Sequence, residues 1–121
     1  MRKFIVSGSR RFDDQEFMEF AFDTYFADDE RDVLLIHGNC RGADVLAAYI
    51  AARLGWWTAT CPADWSIGKA AGVIRNQKML DLFKPDFMVA FPLQGSRGTW
   101  DAVRRAESMG IKAFIWTMPS I

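Results

Sequence analysis

The chain predicts an α/β fold: a single domain over residues 1–121, built as an open parallel five-stranded sheet with helices on both faces. Two observations carry this. Short apolar runs alternate with stretches of helical period, without repeats, linkers or low-complexity segments. The 121 residues, 50% of them hydrophobic, suit one core that buries about two thirds of the surface of the unfolded chain. Crossovers between parallel strands are right-handed and short, so five strands joined by four helical connections favour a sheet wound on both sides.

The first strand is "KFIVSG", Lys3 to Gly8, followed by a loop and a helix from about Asp14 to Ala27 that Asp13 or Asp14 can cap. That helix carries Phe17, Phe20, Phe22 and Phe26, more aromatics than one buried face needs, and the surplus points to a subunit contact. "VLLIHG", Val33 to Gly38, is continuously apolar, as a central parallel strand covered on both faces should be. The next helix sets Ala43, Leu46, Ala47, Ile50 and Leu54 in one stripe, and Gly55 ends it.

"WTATCPA" is the third strand. The stretch "DWSIGKAAGVIRNQKMLDLFKP" supplies a long loop and a helix that must stop before Pro85. On that helix Val73, Asn76, Leu80 and Phe83 share a seam, where the Asn76 amide needs partners in a neighbouring loop or in a ligand. "DFMVAFP" is the fourth strand. "GSRGTWDAVRRAESMG" gives a glycine turn and a helix with Ala102, Val103, Ala106 and Met109 inward, and "IKAFIW" is the fifth strand.

Composition narrows the function. Fifteen Lys plus Arg balance fifteen Asp plus Glu, so no net field draws the chain to nucleic acid or to an anionic membrane. Nine of the acids lie between Asp13 and Asp32, a poor surface for a phosphate backbone. The apolar core of the N-terminus is short for a signal peptide, and no run approaches the roughly 20 residues of a membrane span, which makes a cytoplasmic protein the expectation. Cys40, Cys61 and the lone His37 fit no familiar zinc spacing; reduced thiols, no metal and no cofactor are expected. His37, at a strand end, reads first as a packing residue.

The special residues fall on the joints after strands. In an open parallel sheet, ligands sit beyond the carboxyl ends of the strands, where helix N-termini present free N–H groups. "SGSRR", "HGNCRGAD", "PADWSIGKAAGVIRN" and "PLQGSRGT" follow strands one to four. Arg10, Arg11, Arg41, Arg75 and Arg97, half of all the arginines, lie in these joints or in the first turns after them. Arginine matches phosphate or carboxylate oxygens with two donors at once, and loop glycines let a backbone come close to a ligand. The candidate ligand residues are therefore Gly8, Ser9, Arg10, Gly38, Arg41, Gly42, Asp44, Lys69, Arg75, Asn76, Gly95, Ser96, Gly98 and Thr99. Asp44 is either a helix-start acid that favours the dipole or a group that binds a ribose hydroxyl or a loop N–H. Trp65 and Trp100 lie in these loops and could stack on a base.

Familiar nucleotide motifs are missing. Strand one lacks GxGxxG, strand two ends in His37 instead of the acid that holds an NAD ribose, and neither GxxxxGK[ST] nor GxSxG is present. Taken in order, "VSGSRRF", "IHGNCRGAD", "PADWSIGKAAGVIRNQKML", "KPDFMVAFP" and "GSRGTWDAVRRA" resemble the YspA-type branch of the SLOG superfamily, a Rossmann-like group that also holds the LOG phosphoribohydrolases and the DprA DNA-processing proteins. The resemblance implies a nucleotide-like small-molecule partner at the strand ends and homo-oligomerisation. In LOG enzymes a PGGxGTxxE signature supplies a phosphate-binding turn and an acid for cleaving the N-glycosidic bond of a nucleoside 5′-phosphate. Here "PLQGSRGTWDA" keeps Pro92, Gly95, Gly98 and Thr99 in an altered, lengthened turn, but Ala102 stands in place of the glutamate. Asp101, one residue away and about 100° round the helix, and Asp44 are the candidate catalytic substitutes. The resulting expectation is a binder of a phosphorylated nucleoside or an ADP-ribose-like metabolite, acting as sensor, carrier or sequestering protein. A nucleoside-phosphate N-glycosidase is the alternative, and DprA-like DNA binding the weakest.

Overall fold

The structure, a computed structural model, describes residues 1–118. Five parallel strands, β1 (Arg2–Gly8), β2 (Val33–His37), β3 (Trp57–Thr60), β4 (Phe87–Phe91) and β5 (Lys112–Ile115), form one sheet in the order β3-β2-β1-β4-β5. Four helices connect them: α1 (Gln15–Tyr25), α2 (Ala43–Leu54), α3 (Ala71–Phe83) and α4 (Arg97–Ser108). A 3-10 turn, Trp65–Ile67, precedes α3. The direction of winding reverses between β1 and β4, which opens a crevice at their carboxyl ends.

Alternate residues of each strand feed different layers. Phe4, Val6, Phe87, Val89 and Phe91 face α1 and α2, whereas Ile5, Met88 and Ala90 face α3 and α4. The first layer is aromatic: Phe4 lies within 6 Å, centroid to centroid, of Phe22, Phe26, Trp56 and Phe87. The second is lined by Ala90, Ala102, Ala106 and Ala113, small side chains that let α4 lie close on the sheet. Most of the aromatic surplus of α1 is used inside the molecule. Phe22 and Phe26 are buried, Phe17 packs on the same cluster, and only Phe20 is largely exposed, edge-on to Trp116.

Helix ends follow local chemistry. The Asp14 carboxylate caps α1 by accepting from the Phe17 N–H, and Gly55, in the left-handed region, closes α2. Lys84 stops α3 directly before Pro85, with a positive φ of 45°. One expected inward residue is out of place: Met109 lies beyond the last turn of α4 and is 39% exposed. The helix ends at Ser108, so the stripe of Ala102, Val103 and Ala106 is not continued.

Candidate functional site

Three of the four helices start without a side-chain cap. Gly42, Ala70 and Ser96 precede α2, α3 and α4, and none bonds an N–H of its own helix through a side chain. Ser96 is the kind of residue that caps, but its hydroxyl accepts instead from the Leu93 N–H and ties the turn. Among the described residues, the N–H groups of Gly72, Val73, Gly98 and Thr99 meet no protein acceptor. They lie at the rim of one cavity of about 430 Å³ at the crevice between β1 and β4.

Arg10, Arg11, Lys69, Arg75 and Arg97 line this cavity, with Gly8, Ser9, Asn76, Gly95, Ser96, Gly98 and Thr99. Asp44 is its single carboxylate among the described residues. Arg11 donates to the Gln94 carbonyl at 2.8 Å and so latches the β1 loop to the β4 loop. Gly38 and Arg41 open on a neighbouring cavity that shares Arg10 with the first, and Gly42 and Asp101 line neither. Arg11 and Arg97, counted among the joint arginines by the sequence but not among the candidate ligand residues, line the cavity as well.

The glycines divide into two kinds. At Gly95 and Gly98 nothing lies within 4 Å of where a side chain would project, so a ligand has room there. At Gly8, Gly38 and Gly42 that space is filled by protein: Ala43 and Phe91, the Arg75 guanidinium, and the Ser9–Arg10 backbone, respectively. These three let chain approach chain, and by doing so they assemble the site.

A polar relay underlies the cavity. Arg75 donates from Nη1 to the Gly38 carbonyl at 2.8 Å and from Nε to Asn76 Oδ1 at 3.0 Å, and its other nitrogen lies 3.7 Å from Cys40 Sγ. Asn76, buried, donates in turn to the Gly98 carbonyl and, at 3.0 Å, to Asp101 Oδ2. Asp101 also accepts from Arg105 Nε at 3.0 Å. Arg75 thus reaches across to the end of β2, while Asn76 joins α3 to the first turns of α4. The Asp101 carboxylate is committed to that joint.

Asp44 and His37 are buried beside the relay. Asp44 Oδ2 accepts from the N–H groups of Gly38, at 3.0 Å, and Cys40, at 3.2 Å, which fixes the loop after β2. Burial pushes its carboxyl up to about 6, against the opposing pull of those N–H groups and of Arg75 and Arg10. His37 Nδ1 accepts from the Asn39 N–H, and Nε2 lies 3.3 Å from the Thr60 hydroxyl. Burial, then the Arg75 charge, lowers its pKa, and both ring nitrogens face partners within the fold.

Opposed pH effects follow. The folded pKa of Asp44 exceeds its ordinary 3.8, so its stabilising contribution is fully present below that value and lost as pH rises through about 6. His37, lowered from 6.5, contributes stability above 6.5 that is lost as pH falls through its folded pKa. Asp44→Asn should retain an acceptor for the two N–H groups and gain about 1–3 kcal/mol at pH 8, a gain that shrinks towards pH 4. Urea midpoints of both proteins across that range check this; a pH-independent difference would refute it.

No helix among the described residues is long and apolar enough to cross a membrane, and no group of three or more His, Cys, Asp or Glu there is placed to hold a metal. Cys40 and Cys61 are free thiols. A profile of the YspA, cpYpsA-related SLOG family matches residues 2–68, from β1 through the 3-10 turn. That span contributes the Gly8–Arg11 and Gly38–Asp44 walls of the site. The Gene 61 protein of Mycobacterium phage D29 is 34% identical over 121 residues, covering 92% of this chain and 93% of the phage protein, and so extends the similarity through α3 and α4. With more than half of its length matched by the profile and nearly all of it by the phage protein, this chain belongs to the YspA, cpYpsA-related SLOG family.

Proposed function

We propose that the chain binds a phosphorylated nucleoside or a nucleotide-derived metabolite such as ADP-ribose at the carboxyl edge of the sheet, as a sensor, carrier or sequestering protein. The observation that carries this reading is the convergence of five cationic side chains and two uncapped helix N-termini on one cavity at the β1/β4 crevice. Aligned N–H groups and guanidinium forks are the donors a phosphate ester needs, and the whole molecule has no net charge to attract anions indiscriminately. Family membership supports the same chemistry.

Binding is favoured over N-glycoside hydrolysis by the arrangement on α4. The position of the LOG glutamate is Ala102, 1% exposed, and Asp101 is held by Asn76 and Arg105 away from the cavity. Mass spectrometry of small molecules released from the natively purified protein, paired with chromatography after incubation with nucleoside monophosphates, tests both points. A retained phosphate ester and no free base are expected. Release of base at a rate abolished by Asp44→Asn would instead establish a hydrolase, and failure to retain or bind any phosphate ester would overturn the reading.

A further inference from the structure

The second cavity, about 400 Å³, meets the first along a shared wall of Arg10, Cys40 and Trp65. Each is within the roughly 300–1,000 Å³ of small-molecule sites, so a ligand confined to the anion lobe leaves the other to solvent. The two lobes differ in character. The side lobe has Arg41, Pro62 and Ala63 in its lining, and the α3 and α4 N-termini stay in the anion lobe.

Trp65 stands at the junction, with 54% of its surface exposed. Its position is nevertheless built. Asp64 caps the 3-10 turn by accepting from the Ser66 N–H at 3.1 Å and from the Ser66 hydroxyl, and the Gly68 N–H bonds back to the Trp65 carbonyl. Gly72, in the first turn of α3, lies against the indole, where an added Cβ would be 3.4 Å from the ring, in ordinary van der Waals contact. The Arg10 guanidinium lies 5.6 Å from the ring centroid, in cation–π range, and joins the indole to the anion lobe. A large apolar ring fixed in solvent at the mouth of a cationic cavity is suited to stacking on a flat heterocycle. Trp100, 40% exposed on α4, lines neither lobe.

We infer that the two lobes hold one ligand, a base-bearing nucleotide whose phosphate lies against the Gly95–Thr99 turn and whose base stacks on Trp65 towards Arg41. This rests on the anion-binding reading above and adds recognition of the base. Calorimetric titration of the full chain with ribose 5-phosphate, AMP and GMP tests it, repeated with Trp65→Ala, Trp65→Phe and Trp100→Ala. In the wild-type protein at least one nucleotide should bind roughly 5- to 150-fold more tightly than ribose 5-phosphate. Trp65→Ala should remove that margin, weakening the nucleotide far more than ribose 5-phosphate; Trp65→Phe should keep most of it, and Trp100→Ala all of it. Ribose 5-phosphate binding as tightly as both nucleotides overturns the base site alone, as does a Trp65→Ala loss shared equally by sugar phosphate and nucleotide. Absence of binding by all three overturns the anion reading together with it. An octadeoxyadenylate bound more tightly than either mononucleotide would assign the aromatic and cationic surface to single-stranded nucleic acid, against the inference.

Discussion

Gly42→Ala is expected to lower the unfolding free energy by about 3 kcal/mol or more, the largest stability effect of any single methyl group added at the site. Gly42 has φ 83° and ψ −125°, a conformation essentially restricted to glycine. It also packs against the Ser9 carbonyl and the Arg10 backbone, where an added Cβ would overlap main-chain atoms that cannot rotate away. Relief requires the β1 loop to move from α2, breaking the Ala43 N–H bond to the Ser9 carbonyl at 3.2 Å. Because that loop carries Arg10 and Arg11 into the cavity, ligand binding should fall together with stability. Urea unfolding should show a lower midpoint at an unchanged slope. An unaltered midpoint would mean that the loop is free to separate from α2.

Much of this arrangement was legible in the chain because it repeats a period. The α2 stripe of Ala43, Ala47 and Ile50, the Asp14 cap and the stop before Pro85 are each set by neighbours within a few residues, and all are found where the spacing put them. The same local rules indicate which loops gather at the strand ends. Strand order is different in kind: which side of β1 receives β4 depends on how complete layers pack, with Phe4 and Ile5 committed to opposite faces. Side-chain direction at the site was equally hidden. Gly38 reads as a glycine kept clear for a ligand, yet its open space holds a guanidinium from 37 residues further along the chain. Ser96 precedes α4 and is named among the ligand residues, but its hydroxyl is taken by the Leu93 N–H, and it is the α4 N–H groups that are left available. These are long-range pairings or competitions between two short hydrogen bonds, and no local pattern decides them.

Arg75 draws the hidden pairings together, and its removal should have the largest effect on binding. Its guanidinium lies against Gly38, bonds the Gly38 carbonyl and Asn76 Oδ1, and lines the anion lobe. Arg75→Ala removes one cation from the lobe and also releases Asn76, whose amide holds the first turns of α4 through Gly98 and Asp101. Loss of a charge-assisted contact to phosphate costs about 1.5–3 kcal/mol, roughly 10- to 150-fold in affinity for a nucleotide such as AMP. Arg75→Lys should recover little of this, since an ammonium has no planar fork to span Gly38 and Asn76 while facing an anion. Gly38→Ala supplies an independent check: its methyl group would take the place of the guanidinium, leaving the Arg75 charge in the protein but out of position. If position matters, Gly38→Ala should weaken AMP binding nearly as much as Arg75→Ala; if Arg75 acts only as a diffuse positive charge, it should be close to neutral. Calorimetry on the three variants, each first shown to unfold cooperatively, separates these outcomes. Unchanged affinity in all three would remove Arg75 from the site and leave anion binding to Arg10, Arg11, Lys69, Arg97 and the α4 N-terminus.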